Sequence, residues 1–467
     1  MLSQVRLWQF RQKGIVTAYV LVFGAIFLLI LGSTLGFILL QLKQSSQRAA
    51  WSESLYVAEA GLNYYRWCLN HEAESNCLTE KDYTDTEGNS LGSFSLQITS
   101  DSVCGQVTRR EIVSQGRTNK FPQVTRRVKA VYARESVANY AYLLNDNVWA
   151  GADREIRGLY HSNGGIRMDG ENQSLVTSAK ETWLCTQSFG CNPPEEKPGV
   201  FTTTDNSNPD LFEFPVTAFD FEGITVDLAE IKSLTQPYPE EYYWPRATEI
   251  DPQAQGYHVV FNNNGTFDVW IITELEPALA YSLEEGWHYD YFEIEQEYLY
   301  RSGISIDPDC SVIFFEDSIW PEGEVKGKFS VASADLADPA EETDIILSDN
   351  IDYTSLDGSD GLGLIAERNI LIGPDSPDQM ELRGIFIAQK GHFGRNHYPG
   401  NIKESLEING SIVSNGRVGT KWSSGGVIVS GYRQRENYID TNLIYNPPPF
   451  VPQTSSDFQL VNWEEVD

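Results

Sequence analysis

The side chains best suited to catalytic or metal chemistry include six histidines, and their spacing forms no recognised catalytic pattern. None lies in an HExxH sequence, which would place two zinc ligands and a general base on one helical face. His392 and His397 flank the residues FGRN, a spacing that matches no zinc motif. His161, directly before Ser162, is more typical of a hydrogen-bonded turn residue than of a catalytic base. The histidines therefore predict no metal-dependent hydrolase.

An acidic segment, SDNIDYTSLDGSDG, gives the only indication of a metal, and its carboxylates are Asp349, Asp352, Asp357 and Asp360. Carboxylate and amide oxygens beside glycines at tight turns suit a hard cation such as calcium. The order does not match an EF-hand, because no bidentate Glu follows at the required distance. A solvated loop explains the same residues. We predict no cofactor, with calcium as a weak alternative.

Paired carboxylates could also support glycoside hydrolysis, in which two carboxyl groups lie roughly 5–9 Å apart. The chain has 66 acidic residues among 467, so linear spacing cannot select such a pair. Fold analogy with polysaccharide-degrading proteins would not by itself grant activity. We therefore predict that the chain is not an enzyme.

The net charge of −32 excludes one class of partner. Nucleic acids are bound largely through their phosphates, so a chain this acidic is not expected to bind them. It is also not expected to lie on an anionic membrane surface. Solubility outside the cytoplasm is the simplest interpretation of the charge.

Six cysteines occur without a CxxC motif, which gives little support to zinc or thioredoxin-type chemistry. An even number in a domain beyond a membrane favours disulfides in an oxidising compartment. Cys185 and Cys191 bracket the short loop TQSFG, and Cys68 and Cys77 could close the turn after the first helix. Cys104 and Cys310 remain without an assigned pairing. Free buried thiols are the alternative.

The element expected to organise the chain is a long N-terminal helix. A basic leader, residues 1–14, precedes an uncharged segment, residues 15–42, whose 28 residues would span about 42 Å as a helix. That length is enough to cross a hydrocarbon core of about 30 Å. Beyond it, apolar residues recur at steps of 4, 3, 4, 3 and 4, which indicates one face of a continuing helix: Trp51, Leu55, Ala58, Leu62, Tyr65 and Leu69. A cleaved signal peptide is disfavoured by the length of the apolar segment, and a plain signal anchor is the main alternative.

The boundary Lys13-Gly14-Ile15 and the run Tyr56 to Gly61 resemble those of type IV pilins, in particular PilX-like minor pilins, with type II secretion pseudopilins as relatives. The resemblance covers roughly residues 1–135. It implies that a prepilin peptidase cuts after Gly14. It also implies that the helix anchors the subunit in the inner membrane and packs against other pilin subunits in a filament.

Two residues depart from the family pattern. Ile15 replaces the usual Phe after the cleavage site, and Tyr19 replaces the Glu expected at the fifth mature position. That Glu normally pairs with the charged amine of a neighbouring subunit, and a buried unpaired ammonium is costly. The departure therefore favours a rare subunit. Gly32 and Gly36 would still allow close packing of helices.

After the helix, the sequence predicts a pilin body, residues 43–134, completed by a small antiparallel sheet. Alternating or β-prone runs at residues 92–100, 110–115 and 123–132 are separated by turn residues. An α+β arrangement would let one sheet face cover the helix.

Residues 135–467 are predicted to be mainly β, because short apolar runs alternate with Asn-Gly and Asp-Gly turns. The steps from Ile346 through Ile365, Phe386 and Ile412 to Ile428 are 19, 21, 26 and 16 residues. A period near 20 without helices favours a parallel β-solenoid, and a β-sandwich is the alternative. Insertions near residues 192–255 and 274–309 are rich in aromatic and acidic residues. Either they pack over the solenoid or they form a recognition surface for carbohydrate or protein.

Taken together, these patterns predict a minor pilin-like subunit of a type IV pilus or related secretion filament. It would act in filament assembly or priming, or display its β domain for adhesion. The alternatives are a membrane-anchored surface binding protein and, less favoured, an anchored carbohydrate-active enzyme on a β-helix. In each case the bulk of the chain lies outside the cytoplasm, at the cell surface or on the pilus.

Processing provides the first test. We expect the mature protein to begin at Ile15 and the substitution Gly14→Val to block cleavage, because the peptidase requires a small residue there. N-terminal sequencing of membrane-extracted protein measures this directly. Persistence of the intact leader in wild-type cells with an active prepilin peptidase would contradict the pilin interpretation.

Overall fold

The computed structural model describes residues 15–71, 76–223, 225–306, 310–337 and 342–466. The predicted leader and Gly14 lie outside these ranges. The described chain begins with a 57-residue helix, α1 (Ile15–His71), and continues as a mainly-β protein. Two short helices follow much later, α2 (Leu228–Thr235) and α3 (Ala247–Ile250).

The described chain divides into two compact units, and each is described by itself. Within the described ranges, unit one comprises residues 15–99, 111–131 and 462–466, and unit two comprises residues 100–110 and 132–461. The proposed domain boundaries at residues 42, 134 and 135 remain predictions.

Unit one packs the second half of α1 on a sheet. The strands of this sheet are β1 (Glu80–Thr84), β2 (Ser90–Val103), β3 (Gln106–Thr118), β4 (Thr125–Ala133) and β32 (Gln459–Val466). Their order in the sheet is β1-β2-β3-β4-β32, and β1 pairs antiparallel with β2. The strands predicted at residues 92–100 and 110–115 fall within β2 and β3, and the one predicted at residues 123–132 overlaps β4. The sequence analysis missed β32, which joins the sheet from the far end of the chain.

The buried face of α1 differs in part from the predicted apolar seam. Ala58, Leu62 and Tyr65 are buried, and Leu55 and Leu69 are half-buried. Trp51 is a correction, because its side chain is 53% exposed. The face that packs on the sheet is richer in small residues than the seam, and its members are Ala50, Ser54, Val57, Ala58, Gly61, Leu62, Tyr65 and Cys68.

Small residues are needed on this face because helix and sheet approach closely. A Cβ added to Gly61 would overlap the Oγ of Ser114 and the ring of Phe94. A Cβ added to Gly116 would overlap backbone atoms of Ser54 and Ala58 in the helix. Ser54 also donates from Oγ to the backbone oxygen of Val124, at 2.9 Å. The helix backbone therefore packs almost directly on strand β3.

Unit two contains most of the strands. Its first group is β5 (Tyr140–Leu144), β6 (Val148–Ala150), β7 (Arg154–Arg157), β8 (Leu159–Ser162), β9 (Ile166–Met168), β10 (Glu171–Asn172), β11 (Val176–Ser178), β12 (Thr182–Cys185), β13 (Glu195–Pro198), β14 (Val200–Phe201), β15 (Phe212–Glu213) and β16 (Tyr243–Trp244). Its second group is β17 (Gly256–Asn262), β18 (Thr266–Ser282), β19 (Gly286–Ser305), β20 (Val312–Phe315), β21 (Ile319–Val325), β22 (Lys328–Ser333), β23 (Ile345–Leu347), β24 (Ile351–Tyr353), β25 (Gly361–Ala366), β26 (Ile370–Ile372), β27 (Gln379–Ala388), β28 (Phe393–Gly394), β29 (Ile402–Ser414), β30 (Lys421–Ser424) and β31 (Val427–Tyr438).

A continuous series of parallel pairings, the main ladder, runs through unit two. Its order is β16-β20-β22-β25-β27-β29-β5-β8-β11-β15. The ladder does not follow chain order, because β29 from the C-terminal part pairs with β5 from the start of the unit. One run of large apolar side chains in register is Leu364, Phe386, Ile412, Tyr142 and Tyr160.

The apolar residues that recur about every 20 positions are direct strand partners at one step and not at the other three. Phe386 pairs with Ile412, 26 residues later. Ile346 pairs with Leu371 in another ladder, and Ile365 pairs with Ile387 rather than Phe386. Ile428 lies in an antiparallel hairpin opposite Ser423. Loops of unequal length between the strands shift the register away from a constant period.

Antiparallel hairpins interrupt the parallel ladders. The longest pairs β18 with β19 and contains most of the insertion predicted near residues 274–309. β17 pairs with β18 on one side and lies parallel to β21 on the other, which connects this hairpin to the parallel core. The other predicted insertion, near residues 192–255, holds short strands together with α2 and α3.

The close approach of α1 to β3 predicts that Gly116→Val opens unit one. The added side chain meets helix backbone, which cannot move aside as a flexible side chain can, and overpacking of this kind costs about 3 kcal/mol. Hydrogen–deuterium exchange of β3 should become about a hundredfold faster where it occurs through local opening. Gln115→Val is the matched control, because residue 115 is exposed on the same strand. Equal exchange in the two variants would contradict the packing.

Candidate functional site

The first half of α1 is the most unusual surface of the chain. Residues 15–45 are all exposed, and residues 15–42 carry no charge. Among the described residues, α1 is the helix long and apolar enough to cross a membrane, judged by length and composition. Two of its hydroxyl groups are satisfied within the helix, because Ser33 and Thr34 donate to the backbone oxygen of Ile30, at 2.9 and 3.0 Å. Internal satisfaction of polar groups is what a hydrocarbon environment requires.

The residues predicted to govern filament packing lie on this exposed half. Tyr19 is 60% exposed, and its ring lies 6.3 Å from that of Phe23. Gly32 and Gly36 are one turn apart, and a Cβ on either would meet nothing within 4 Å. Ile15, the predicted mature N-terminal residue, is exposed at the start of the helix. The structure therefore leaves all four accessible for contacts with lipid or another chain.

An ion-pair cluster that the sequence analysis missed lies near the start of the packed half of α1. The guanidinium of Arg126 lies 3.3 Å from the ring centroid of Trp51 and also pairs with Glu465. Lys129 on the same strand pairs with Glu464 at 2.6 Å. This explains why Trp51 is exposed rather than buried: its ring covers a cation instead of packing into the core. Linear spacing gave no signal, because the glutamates lie more than 330 positions away.

All six cysteines form disulfides. Cys68 joins Cys77, and Cys185 joins Cys191, with Cα atoms 5.9 and 5.6 Å apart. The structure therefore joins both candidate pairs. The remaining two, which the sequence left unassigned, form a bond between Cys104 and Cys310 across 206 positions.

The four aspartates proposed for calcium do not converge on one point. Asp352 pairs with Arg383 at 2.6 Å, and Asp349 accepts from the backbone of Asn350 at 2.7 Å. Asp360 is buried and accepts hydrogen bonds from Gly327, Thr354 and Ser355. Asp357 accepts from the backbone of Ser359. Among the described residues, no group of three or more His, Cys, Asp and Glu side chains is arranged to hold a metal. The aspartates organise turns, and the calcium interpretation is not supported.

An acidic cleft of about 350 Å³ lies between β19 and the parallel strands of unit two. At its wall, the Nδ1 atom of His258 is 2.8 Å from Glu297, and its Nε2 atom is 3.4 Å from Glu322. Burial alone would lower the pKa of His258, but the two carboxylates outweigh it and raise the pKa to about 9. Burial raises the pKa of Asp375, also in the cleft, to about 6. The protonated imidazole thus holds β17, β19 and β21 together.

Comparison with known proteins gives a likeness to solved structures alone. No family model matches the chain, and no curated protein matches it. A solved structure of the competence-associated pilin ComZ from Thermus thermophilus is similar at 12% identity and a TM-score of 0.30. The match covers 89% of this chain and 97% of that one. At that TM-score the likeness does not define the fold, and the function proposed below rests on the residues of this chain.

The pairing of His258 with Glu297 and Glu322, called here the His258 clamp, predicts that the free energy of unfolding depends on pH. Its pKa in the folded chain lies above the unfolded value of 6.5, so its stabilisation is complete below that pH and disappears as the pH rises through about 9. The unfolding temperature of the wild type should therefore exceed that of His258→Gln at about pH 6, and the difference should shrink by about pH 10. A difference that stays constant over this range would contradict the clamp.

Proposed function

We propose that this chain is a minor pilin-like subunit of a type IV pilus or related secretion filament, of the PilX-like kind. The observation that carries the proposal is the contrast within one helix. The first 28 residues of α1 are exposed and carry no charge, whereas the face of residues 50–68 packs on the sheet of unit one. A membrane before assembly, and neighbouring pilin helices after assembly, would cover the apolar half.

The type of residues on the exposed helix supports a low copy number. An uncharged α1 from Ile15 to Leu42 provides no carboxylate for the amine of a neighbouring subunit. Tyr19 offers only a neutral hydroxyl, which is a much weaker partner for a buried ammonium. Such a subunit suits a position where the amine stays near the interface or finds another partner, as at a filament tip. Gly32 and Gly36 provide the close-contact face.

Unit two is proposed to be a parallel β-solenoid displayed outside the cytoplasm for assembly or adhesion. Its main ladder supports this, because each strand pairs in parallel with a strand from another turn of the chain. We assign it no catalytic role. In the acidic cleft, the carboxylates Glu297 and Glu322 pair with His258, which gives them a structural role between neighbouring strands.

A membrane-anchored surface binding protein that never enters a filament is the second candidate. The observation that favours it is the same missing carboxylate at Tyr19. The two candidates differ in one respect, namely whether the chain is present in filaments sheared from the cell surface.

Incorporation is the decisive test. In cells that make this chain, sheared filaments should contain few copies of the wild type, and immunogold labelling should be sparse along the shaft. Tyr19→Glu should raise the labelling several-fold, because it restores a partner for the neighbouring amine. Tyr19→Phe is the matched control and should leave the labelling low. Wild-type protein confined to the membrane, with none in filaments, would overturn the proposal, and dense wild-type labelling along the shaft would contradict the low copy number.

A further inference from the structure

The long hairpin of unit two, formed by β18 and β19, exposes aromatic residues and buries polar ones. Along β19, Trp287, Tyr289 and Tyr291 are 59%, 59% and 54% exposed, whereas Asp290 between them is buried. Opposite them on β18, Leu279 pairs with Tyr289 and is also exposed. Strands with one solvated face normally show the opposite alternation. A large exposed apolar patch on a folded domain marks a binding surface.

The inner face of the hairpin is held firmly, which makes the outer face a rigid platform. Phe292 packs against Trp320 and accepts a hydrogen bond from its Nε1 atom at 2.8 Å. The carboxylate of Asp290 accepts from the hydroxyl of Tyr398 at 2.7 Å and from Asn396 at 2.9 Å. These inward bonds fix which side of β19 faces solvent, so the aromatic residues cannot turn inward without leaving Asp290 exposed. A preorganised surface loses little entropy on binding.

The charge around these rings is mainly negative, and Arg368, which lines the same pocket as Tyr289 and Tyr291, is paired with Asp344. Residues 273–300 include eight Asp and Glu residues and no Lys or Arg. Glu274, Glu276 and Glu295 are exposed, and no Lys or Arg of the described chain forms an ion pair with them. Outside this segment the chain has 58 of its 66 acidic residues and all 34 basic ones, so the acids there are compensated in part. The hairpin therefore combines aromatic faces with uncompensated carboxylates.

We propose that the outer face of this hairpin, the aromatic platform, is a docking surface for a basic polypeptide segment rich in arginine. Guanidinium groups stack on Trp and Tyr faces and pair with carboxylates, so one partner chemistry satisfies both features. The chain already uses this contact internally, because Arg167 lies 4.1 Å from the ring centroid of Trp149. A neutral glycan could stack on the rings but would not pair with the carboxylates. A nucleic acid would be repelled by the same carboxylates.

This inference does not depend on filament assembly and is tested with the full-length chain in detergent. The probe is a fluorescent peptide of alternating arginine and glycine, and a peptide of alternating glutamate and glycine serves as the negative probe. We expect saturable binding that is weakened about tenfold by Tyr289→Thr with Tyr291→Thr, because two cation–π contacts are removed. Glu274→Gln with Glu276→Gln should weaken it to a similar extent.

Matched control variants distinguish binding at the aromatic platform from general attraction of the basic peptide to an acidic chain. Tyr238→Thr removes an exposed tyrosine elsewhere in unit two, and Asp205→Asn with Glu222→Gln removes the same charge from exposed sites elsewhere. Both should bind the arginine peptide as the wild type does. Equal binding by the platform and control variants would overturn the proposal, because general attraction would explain it. Absence of peptide binding would also overturn it, as would binding of neutral oligosaccharides that the double tyrosine variant abolishes.

Discussion

The apolar surface of residues 15–42 is the constraint on which the rest of this structure depends. Each Leu, Ile, Val or Phe side chain left in water forgoes about 1.5–3 kcal/mol of burial, and this segment carries many of them without a partner in the described chain. Burial in a membrane or against other apolar helices would stabilise this surface. The hydroxyls of Ser33 and Thr34 already donate within the helix, so neither environment would leave these two groups without an acceptor.

The same helix meets the opposite requirement after about residue 50. There its surface must match a sheet, and small residues allow the helix backbone to approach strand β3 closely. A long helix with two surfaces of different chemistry can be anchored at one end and rigidly folded at the other. A polar cluster lies near the start of the packed half, where the guanidinium of Arg126 stacks on Trp51 and pairs with Glu465.

Local features of this fold could be predicted from sequence, and long-range ones could not. The period of the helix, its uncharged segment and the pairing of close cysteines depend on neighbouring residues. The pairing of β29 with β5, the fifth sheet strand β32 and the bond from Cys104 to Cys310 join positions hundreds of residues apart, and linear spacing contains no signal for them. The exposure of Trp287, Tyr289 and Tyr291 could not be predicted from the sequence either. Hydrogen bonds to the buried carboxylate of Asp290 decide which face of the strand points outward.

The central claim is that the exposed half of α1 contacts other pilin helices, and site-specific photo-crosslinking tests it most directly. A photoreactive amino acid at Leu28, on the exposed apolar half, would be activated in cells bearing filaments, with the same group at exposed Leu460 as a control. Covalent adducts from position 28 to the apolar helix of another filament subunit, absent from position 460, are the predicted result. Adducts from position 28 to lipid alone in filament-bearing cells would contradict the claim.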